Sequence, residues 1–171
     1  VSSKLNWTTI NSILGTTGAT VQSSTGSITI SEAGNITGGT GGTAGVKSIT
    51  FAGAGATNVT GNITAGGATS FVLVKTGAGT LTLSGNNSFA NLIITNGYVE
   101  GVNFANALGN SGSIALAGGN LWLAGSNNIN FARSVIISNN ATIIADRAIP
   151  GPGVTHTLGN VTLITNDVTI I

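Results

Sequence analysis

Few side chains in this sequence could carry out acid–base chemistry. The titratable acids and the one histidine are Glu32, Glu100, Asp146, Asp167 and His156. Asp146, the adjacent Arg147 and His156 form the best constellation, which Asp167 would join if two turns of the chain aligned. Acids with a base on one groove could cleave a glycosidic bond.

The same residues also have a structural interpretation. Asp146 and Arg147 could be a solvated pair at the start of a loop that contains Pro150-Gly151-Pro152-Gly153, with His156 at its edge. Titratable pairs are more often structural than functional. We therefore predict no catalytic residue, and we expect Asp146→Asn and His156→Ala to change no activity.

The sequence offers no pattern of metal ligands. The Gly-Gly pairs that begin at positions 38, 41, 66 and 118 lack the following Asp of calcium-binding nonapeptide repeats. No cysteine and no second histidine is available to bind zinc. We predict no metal site and no cofactor.

Two further features concern carbohydrate. Trp122 alternates with Leu121 and Leu123, so it is expected to point outward, and with Tyr98 it is a candidate for stacking on a sugar. One exposed aromatic ring is not by itself a binding site. Asn-x-Ser/Thr triplets could accept glycans in a eukaryotic secretory route, but they arise readily in a chain this rich in Asn and Thr; they begin at Asn6, Asn35, Asn58, Asn62, Asn86, Asn140 and Asn160.

The composition indicates a packed, weakly charged protein. Charged residues are 5% of the 171 residues and the formal net charge is +1, so nothing suggests binding to nucleic acid or to an anionic membrane. Hydrophobic residues reach 41% and occur in alternating clusters, which a disordered chain would lack. Cysteine and methionine are absent. We expect a mature product or a fragment, without disulfides and without membrane insertion by this segment.

A repeated motif points to the elements that must position these side chains. The motif consists of a Gly, then a hydroxyl residue, then aliphatic residues that alternate with small ones. It recurs in segments that begin at Gly26, Gly79 and Gly112, and a Gly/Asn turn follows each copy. Each copy is one strand with one apolar face, which cannot be buried alone, so the copies must stack. At about 25 residues a coil, with a turn after each strand, the sequence predicts six or seven coils. In such coils Asn can occupy tight corners and bond along the axis.

The segment from Lys75 to Leu123 resembles the passenger-associated repeat of bacterial autotransporters. It opens with KTGAGTLTLSGNNSF, continues through NGYVEG and closes with ALGNSGSIALAGGNLWL. The family usually has a Gly- and Thr-rich segment after the SGxN turn, where this chain has Phe89-Ala90-Asn91-Leu92-Ile93-Ile94. The resemblance implies an all-β fold, a right-handed parallel β-helix (solenoid), exported across the outer membrane and displayed or released outside.

From these observations we expect two regions. Residues 1–24 are predicted to be an N-terminal cap or lead-in segment, with Leu5, Trp7, Ile10, Ile13 and Leu14 either on a helical turn or covering the first coil. Residues 25–171 are predicted to be the β-helical repeat domain, with loops at 38–45 and 148–154. The final strand carries no polar cap, so end-to-end self-association or continuation of a longer passenger is expected.

Three function classes follow. We predict an extracellular structural β-helix at the bacterial cell surface, acting as an adhesin stalk or fibre building block and not as an enzyme. The alternative is a carbohydrate-active or carbohydrate-binding β-helix with a host-surface or glycan ligand. An ice-binding solenoid would need a Thr-x-Thr array on successive coils, whereas Thr80/Thr82 and Thr155/Thr157 stand far apart.

Overall fold

The computed structural model describes residues 3–7, 19–23, 28–32, 34–38, 45–164 and 167–171. Within these ranges all regular structure is β, and no helix occurs. The strands are β1 (Ser3–Trp7), β2 (Ala19–Ser23), β3 (Ile28–Glu32), β4 (Ile36–Thr37), β5 (Val46–Gly53), β6 (Thr57–Val59), β7 (Ile63–Thr64), β8 (Ser70–Lys75), β9 (Thr80–Leu83), β10 (Asn91–Ile94), β11 (Tyr98–Val102), β12 (Ser113–Leu116), β13 (Asn120–Ala124), β14 (Ile129–Asn130), β15 (Ser134–Ile137), β16 (Ala141–Asp146), β17 (His156–Thr157), β18 (Val161–Leu163) and β19 (Val168–Ile170).

The strands stack into two large parallel sheets. One has eight strands in the order β1-β3-β6-β9-β11-β13-β16-β19, and the other has seven in the order β18-β15-β12-β10-β8-β5-β2. Two small sheets, β14-β17 and β4-β7, lie at the connecting corners. Because each successive coil contributes one strand to each of the two large sheets, the fold is the predicted parallel β-solenoid.

The coils are not uniform in length. The chain returns to the equivalent position after 18 residues between Thr82 and Glu100, and after 27 residues between Asn35 and Asn62. The predicted six or seven coils of about 25 residues differ slightly from the observed stacks, which are seven and eight strands deep. The difference arises because corners shorten and lengthen while the strand register is kept.

Alternation along each strand builds one continuous core. Leu81 and Leu83 are fully buried and stack on Thr57 and Val59 of the preceding coil. The same inward column passes through Val99 in the following coil. Burial of the inward residues removes apolar area from water, which is the main favourable term in folding. The predicted core faces of the central repeat are therefore confirmed.

The segment that departs from the family pattern has a defined place. Phe89 is fully buried at a corner, and Asn91–Ile94 forms β10, which pairs with β8 on one side and β12 on the other. An apolar alternating segment suits this position because Leu92 and Ile94 point into the core and are fully buried. The aliphatic segment, which stands where the family has Gly- and Thr-rich sequence, thus forms a strand of the seven-stranded sheet.

Several predictions fall partly or wholly outside the described residues. Leu5 and Trp7 lie in β1, which pairs with β3, whereas Ile10, Ile13 and Leu14 lie outside the described residues. Residues 39–44 of the Gly-rich loop also lie outside the described residues. The division at residue 24 stays a prediction.

Candidate functional site

The structure separates the carboxylates that were candidates for catalysis. Asp146 ends β16, whereas Asp167 directly precedes β19, whose first residue Val168 pairs with Ala141 at the start of β16. Asp167 thus lies opposite position 140, six residues before Asp146, and with about 3.3 Å per residue along a strand the two acids lie about 20 Å apart along the sheet. Asp167 therefore does not join Asp146 and His156.

The remaining candidates contact main-chain atoms. Nε2 of His156 lies 2.8 Å from the main-chain oxygen of Asp146, and the Asp146 carboxylate accepts a hydrogen bond from the Arg147 amide at 2.7 Å. The His156 ring packs edge-on against Phe131, with 5.9 Å between ring centroids. The side chain of Arg147 donates to the carbonyl oxygens of Ile149 and Pro152. These contacts hold the predicted 148–154 loop closed, and they are structural contacts.

Lys75, the first residue of the repeat motif, is buried despite its charge. Its side chain is 2% exposed, and Nζ donates to the carbonyl oxygens of Thr76 at 2.8 Å and Gly77 at 2.6 Å. The aliphatic stem occupies an inward position at the end of β8, in register with Phe51 and Ile94. Lys75 thus bonds the carbonyl oxygens of the corner that the following glycines form.

Those glycines are needed because successive coils pack backbone against backbone at this corner. Gly77 has φ +74°, a conformation that L side chains rarely adopt. A methyl group at Gly79 would come within 2.1 Å of the Gly55 carbonyl oxygen, and one at Gly97 within 2.4 Å of the Gly79 carbonyl oxygen. The Lys-Thr-Gly-x-Gly motif therefore encodes a close stacking contact between three coils.

Burial of Lys75 predicts that stability rises with pH in the alkaline range. Desolvation lowers the pKa of the Lys75 ammonium from 10.5 to about 8. Between these values the unfolded chain binds more protons than the folded chain, so the free energy of unfolding increases from about pH 8 to about pH 10. Lys75→Met should flatten this increase, which urea unfolding at several pH values would measure. Equal slopes in the variant and the wild type would contradict the assignment.

An asparagine ladder runs along a second corner. The side-chain oxygen of Asn35 accepts the amide of Asn62 at 2.9 Å, and that of Asn62 accepts the amide of Asn86 at 2.8 Å. The Asn106 side chain then donates to Asn86 at 3.0 Å. Each bond joins one coil to the next, which confirms that Asn bonds along the axis.

Asn87 makes the buried counterpart of this ladder. Its side chain is 1% exposed, its oxygen accepts the Ile63 amide at 2.7 Å, and its nitrogen donates to the Ala107 carbonyl at 2.6 Å. One side chain thereby links three coils. The Asn86-Asn87 pair belongs to the Gly/Asn turn that follows the copy of the motif beginning at Gly79, but the sequence pattern does not distinguish the exposed asparagine from the buried one.

Arg133 crosses the stack at another corner. Its side chain is 3% exposed, and Nη2 donates to the carbonyl oxygens of Ala90 at 2.6 Å and Ser113 at 3.2 Å, which belong to two earlier coils. Its Nε and Nη1 atoms are buried with no hydrogen-bond partner among the described residues. Desolvation lowers the pKa of the guanidinium to about 10. Arg133 was not singled out from the sequence, since charged residues are usually exposed.

Most of the possible glycan acceptors have other roles. In addition to the ladder members Asn35, Asn62 and Asn86, the side-chain oxygen of Asn140 accepts the Asp167 amide at 3.3 Å. A side-chain oxygen bound in this way satisfies a main-chain donor that the corner would otherwise leave unpaired. The frequency of Asn in the triplets thus has a structural cause.

Among the described residues, no group of three or more His, Cys, Asp and Glu side chains could hold a metal ion. A search of the same residues found no helix long and apolar enough to cross a membrane.

Comparison with protein-family models matches residues 73–100 to the Passenger-associated-transport-repeat. No curated protein and no solved structure matches the chain. The matched residues run from the middle of β8 to the middle of β11, and include the lysine, the stacked glycines and the Asn86-Asn87 corner. The repeat implies a secreted or surface-exposed protein. Residues 73–100 therefore match a passenger-associated-transport repeat, and this repeat lies within a parallel β-solenoid, which together support an autotransporter passenger-type β-helix.

Proposed function

We propose that this chain is a structural segment of an autotransporter passenger, a rod at the outer surface of a bacterium that serves as an adhesin stalk or fibre building block. The observation that supports this most directly is the continuity of the inward columns up to the last coil. Val161 and Leu163 stand in register with Val135 and Ile137, which are fully buried.

The last coil presents the core to solvent. Leu163 is 56% exposed and Ile170 is 75% exposed, although the residues below them in the stack, Ile137 and Ile143, are buried. Among the described residues, β18 and β19 are also the last strands of their sheets, and no further strand pairs with their outer edges there. A further coil placed on this end would bury both the exposed apolar side chains and the strand edges. In the isolated chain, a second copy can supply such a coil by strand addition.

The proposed role is not enzymatic. His156 and Arg147 are engaged with main-chain oxygens, and Asp167 is distant from them. The role of a rod is instead supported by the number of side chains that join one coil to the next. The low charge of the chain adds little repulsion between neighbouring copies.

Light scattering and electron microscopy of the 171-residue chain test the proposal. We expect concentration-dependent, end-to-end association, which Leu163→Lys weakens because the lysine charges the open end. Ile136→Lys, on the outer face of the seven-stranded sheet, is the matched control and should associate as the wild type does. A dilution-independent monomer with a C-terminal strand protected from hydrogen exchange would refute the proposal.

A further inference from the structure

The outer face of the eight-stranded sheet carries a polar depression near its C-terminal end. Outward positions of β13, β16 and β19 align there, because Thr142 pairs with Thr169 and the Thr142 amide bonds the Asn120 side chain at 2.8 Å. The depression has a volume of about 310 Å³ and is lined by Asn120, Asn140, Ala141, Thr142, Asp167 and Thr169. This volume lies at the lower end of the range for small-molecule sites, about 300–1,000 Å³.

The lining has a definite chemistry. The lining residues carry two side-chain amides, two threonine hydroxyls and one carboxylate, next to Ala141. The Asn120 side chain already bonds the Thr142 amide and the Gly97 carbonyl oxygen, and the Asn140 oxygen accepts the Asp167 amide, so the hydroxyls and the carboxylate are the main groups that can bond a ligand. Amides and hydroxyls both donate and accept hydrogen bonds, and a carboxylate accepts several. Such a set suits a ligand whose own surface is covered with hydroxyl groups.

Trp122 stands beside this depression. It follows Asn120 by two residues on the same face of β13, and it pairs with Ile144, which is two residues beyond Thr142 in β16. Neighbours diagonal to each other on one sheet face lie about 7–8 Å apart, within reach of an aromatic ring. The predicted outward orientation is confirmed, since Leu121 and Leu123 on either side are buried.

The indole exposes carbon rather than nitrogen. Trp122 is half-buried, but its Nε1 atom is inaccessible and has no hydrogen-bond partner among the described residues. The part of the ring that meets solvent is therefore hydrocarbon. An exposed aromatic surface of this kind can pack against the C–H groups of a sugar ring while the sugar hydroxyls bond the adjacent polar groups.

We infer that this face binds a neutral saccharide, with one sugar unit in the depression and the chain continuing over Trp122. Glu100, in β11, pairs directly with Trp122 and adds a second carboxylate to the face. Two carboxylates would repel an anionic polysaccharide and accept hydroxyl donors from a neutral one. The inference goes beyond the rod function and does not depend on it.

Saturation-transfer NMR with neutral oligosaccharides of glucose, mannose, galactose and N-acetylglucosamine tests the site. We expect at least one to bind with a dissociation constant on the order of 1 mM, since the contact is small. Trp122→Ala should weaken binding at least tenfold (about 1.4 kcal/mol), and Trp122→Phe should retain most of it. Ile136→Ala, on the other large sheet, is the matched control and should bind like the wild type.

The absence of transfer to every neutral oligosaccharide would overturn the inference, and so would undiminished binding by Trp122→Ala. Oligogalacturonate is the anionic comparison, and its binding as tightly as the best neutral sugar would overturn the assignment of ligand class. Should Trp122→Ala fail to fold, the paired isosteric changes Thr142→Val and Thr169→Val remove two hydroxyls from the depression. Unchanged binding in that variant would equally overturn the inference.

Discussion

Leu116→Asp is expected to abolish folding, whereas Ala115→Asp, one residue earlier, is expected to melt close to the wild type. Leu116 is fully buried in β12, between Ile94 of β10 and Ile137 of β15. Ala115 points to the outer face of the same strand. The two variants add the same charge, so the difference between them measures which face is inside.

The expected size of the effect follows from burial. Losing the leucine side chain costs about 1.5–3 kcal/mol of hydrophobic free energy, and an unpaired buried carboxylate costs several kcal/mol more. Together these approach the whole stability of a typical domain, about 5–15 kcal/mol. Circular dichroism during thermal unfolding would show the loss of the folded state in Leu116→Asp. Equal melting temperatures for Leu116→Asp and wild type would refute the assignment of faces.

Leu83→Asp should behave in the same way, because Leu83 is also fully buried. Alternation by itself predicts that Thr82→Asp is tolerated, but the structure makes this variant a less suitable control. The Thr82 hydroxyl donates to a carboxylate oxygen of Glu100 at 2.9 Å. An aspartate there would lose this bond and place two carboxylates side by side, which costs up to about 1 kcal/mol on a sheet face.

The parts of the fold that the sequence predicts well are those set by local pattern. Alternation of period two identifies the inward face of a strand without knowledge of its neighbours: it places Leu81, Leu83, Leu121 and Leu123 inside, and all four are buried. The repeat motif identified stacking. Neither the alternation nor the repeat motif indicates how many residues a corner contains. When the corner length varies between coils, the number of coils changes although the strand pattern stays the same.

Relations between coils could not be predicted in the same way. Whether Asp167 meets His156 depends on the register of β16 against β19, and that register sets Asp167 opposite the start of β16. The burial of Lys75 and Arg133 was also not predicted, because charged side chains are ordinarily solvated. Both are buried here since main-chain carbonyl oxygens at the corners accept their hydrogen bonds.

Asn87→Leu is expected to destabilise the protein far more than Asn86→Leu. Both asparagines bond to neighbouring coils, but Asn87 is buried and Asn86 is exposed. Leucine at position 87 would leave the Ile63 amide and the Ala107 carbonyl without their partner. Each unsatisfied buried group costs about 1–3 kcal/mol, so the sum is about 2–6 kcal/mol. At position 86, water can replace the lost bond, and the cost should stay below about 1 kcal/mol.

Two measurements distinguish a lost hydrogen bond from poor packing at this corner. In a domain of this length each kcal/mol lowers the melting temperature by about 2–4 °C, so Asn87→Leu should melt roughly 5–20 °C below the wild type. Hydrogen exchange should quicken at the Ile63 amide, because its acceptor is the side chain that was removed. Similar melting temperatures for the two leucine variants, with the Ile63 amide still protected, would mean that Asn87 does not join the three coils. The stack would then depend on its aliphatic core and strand ladders alone.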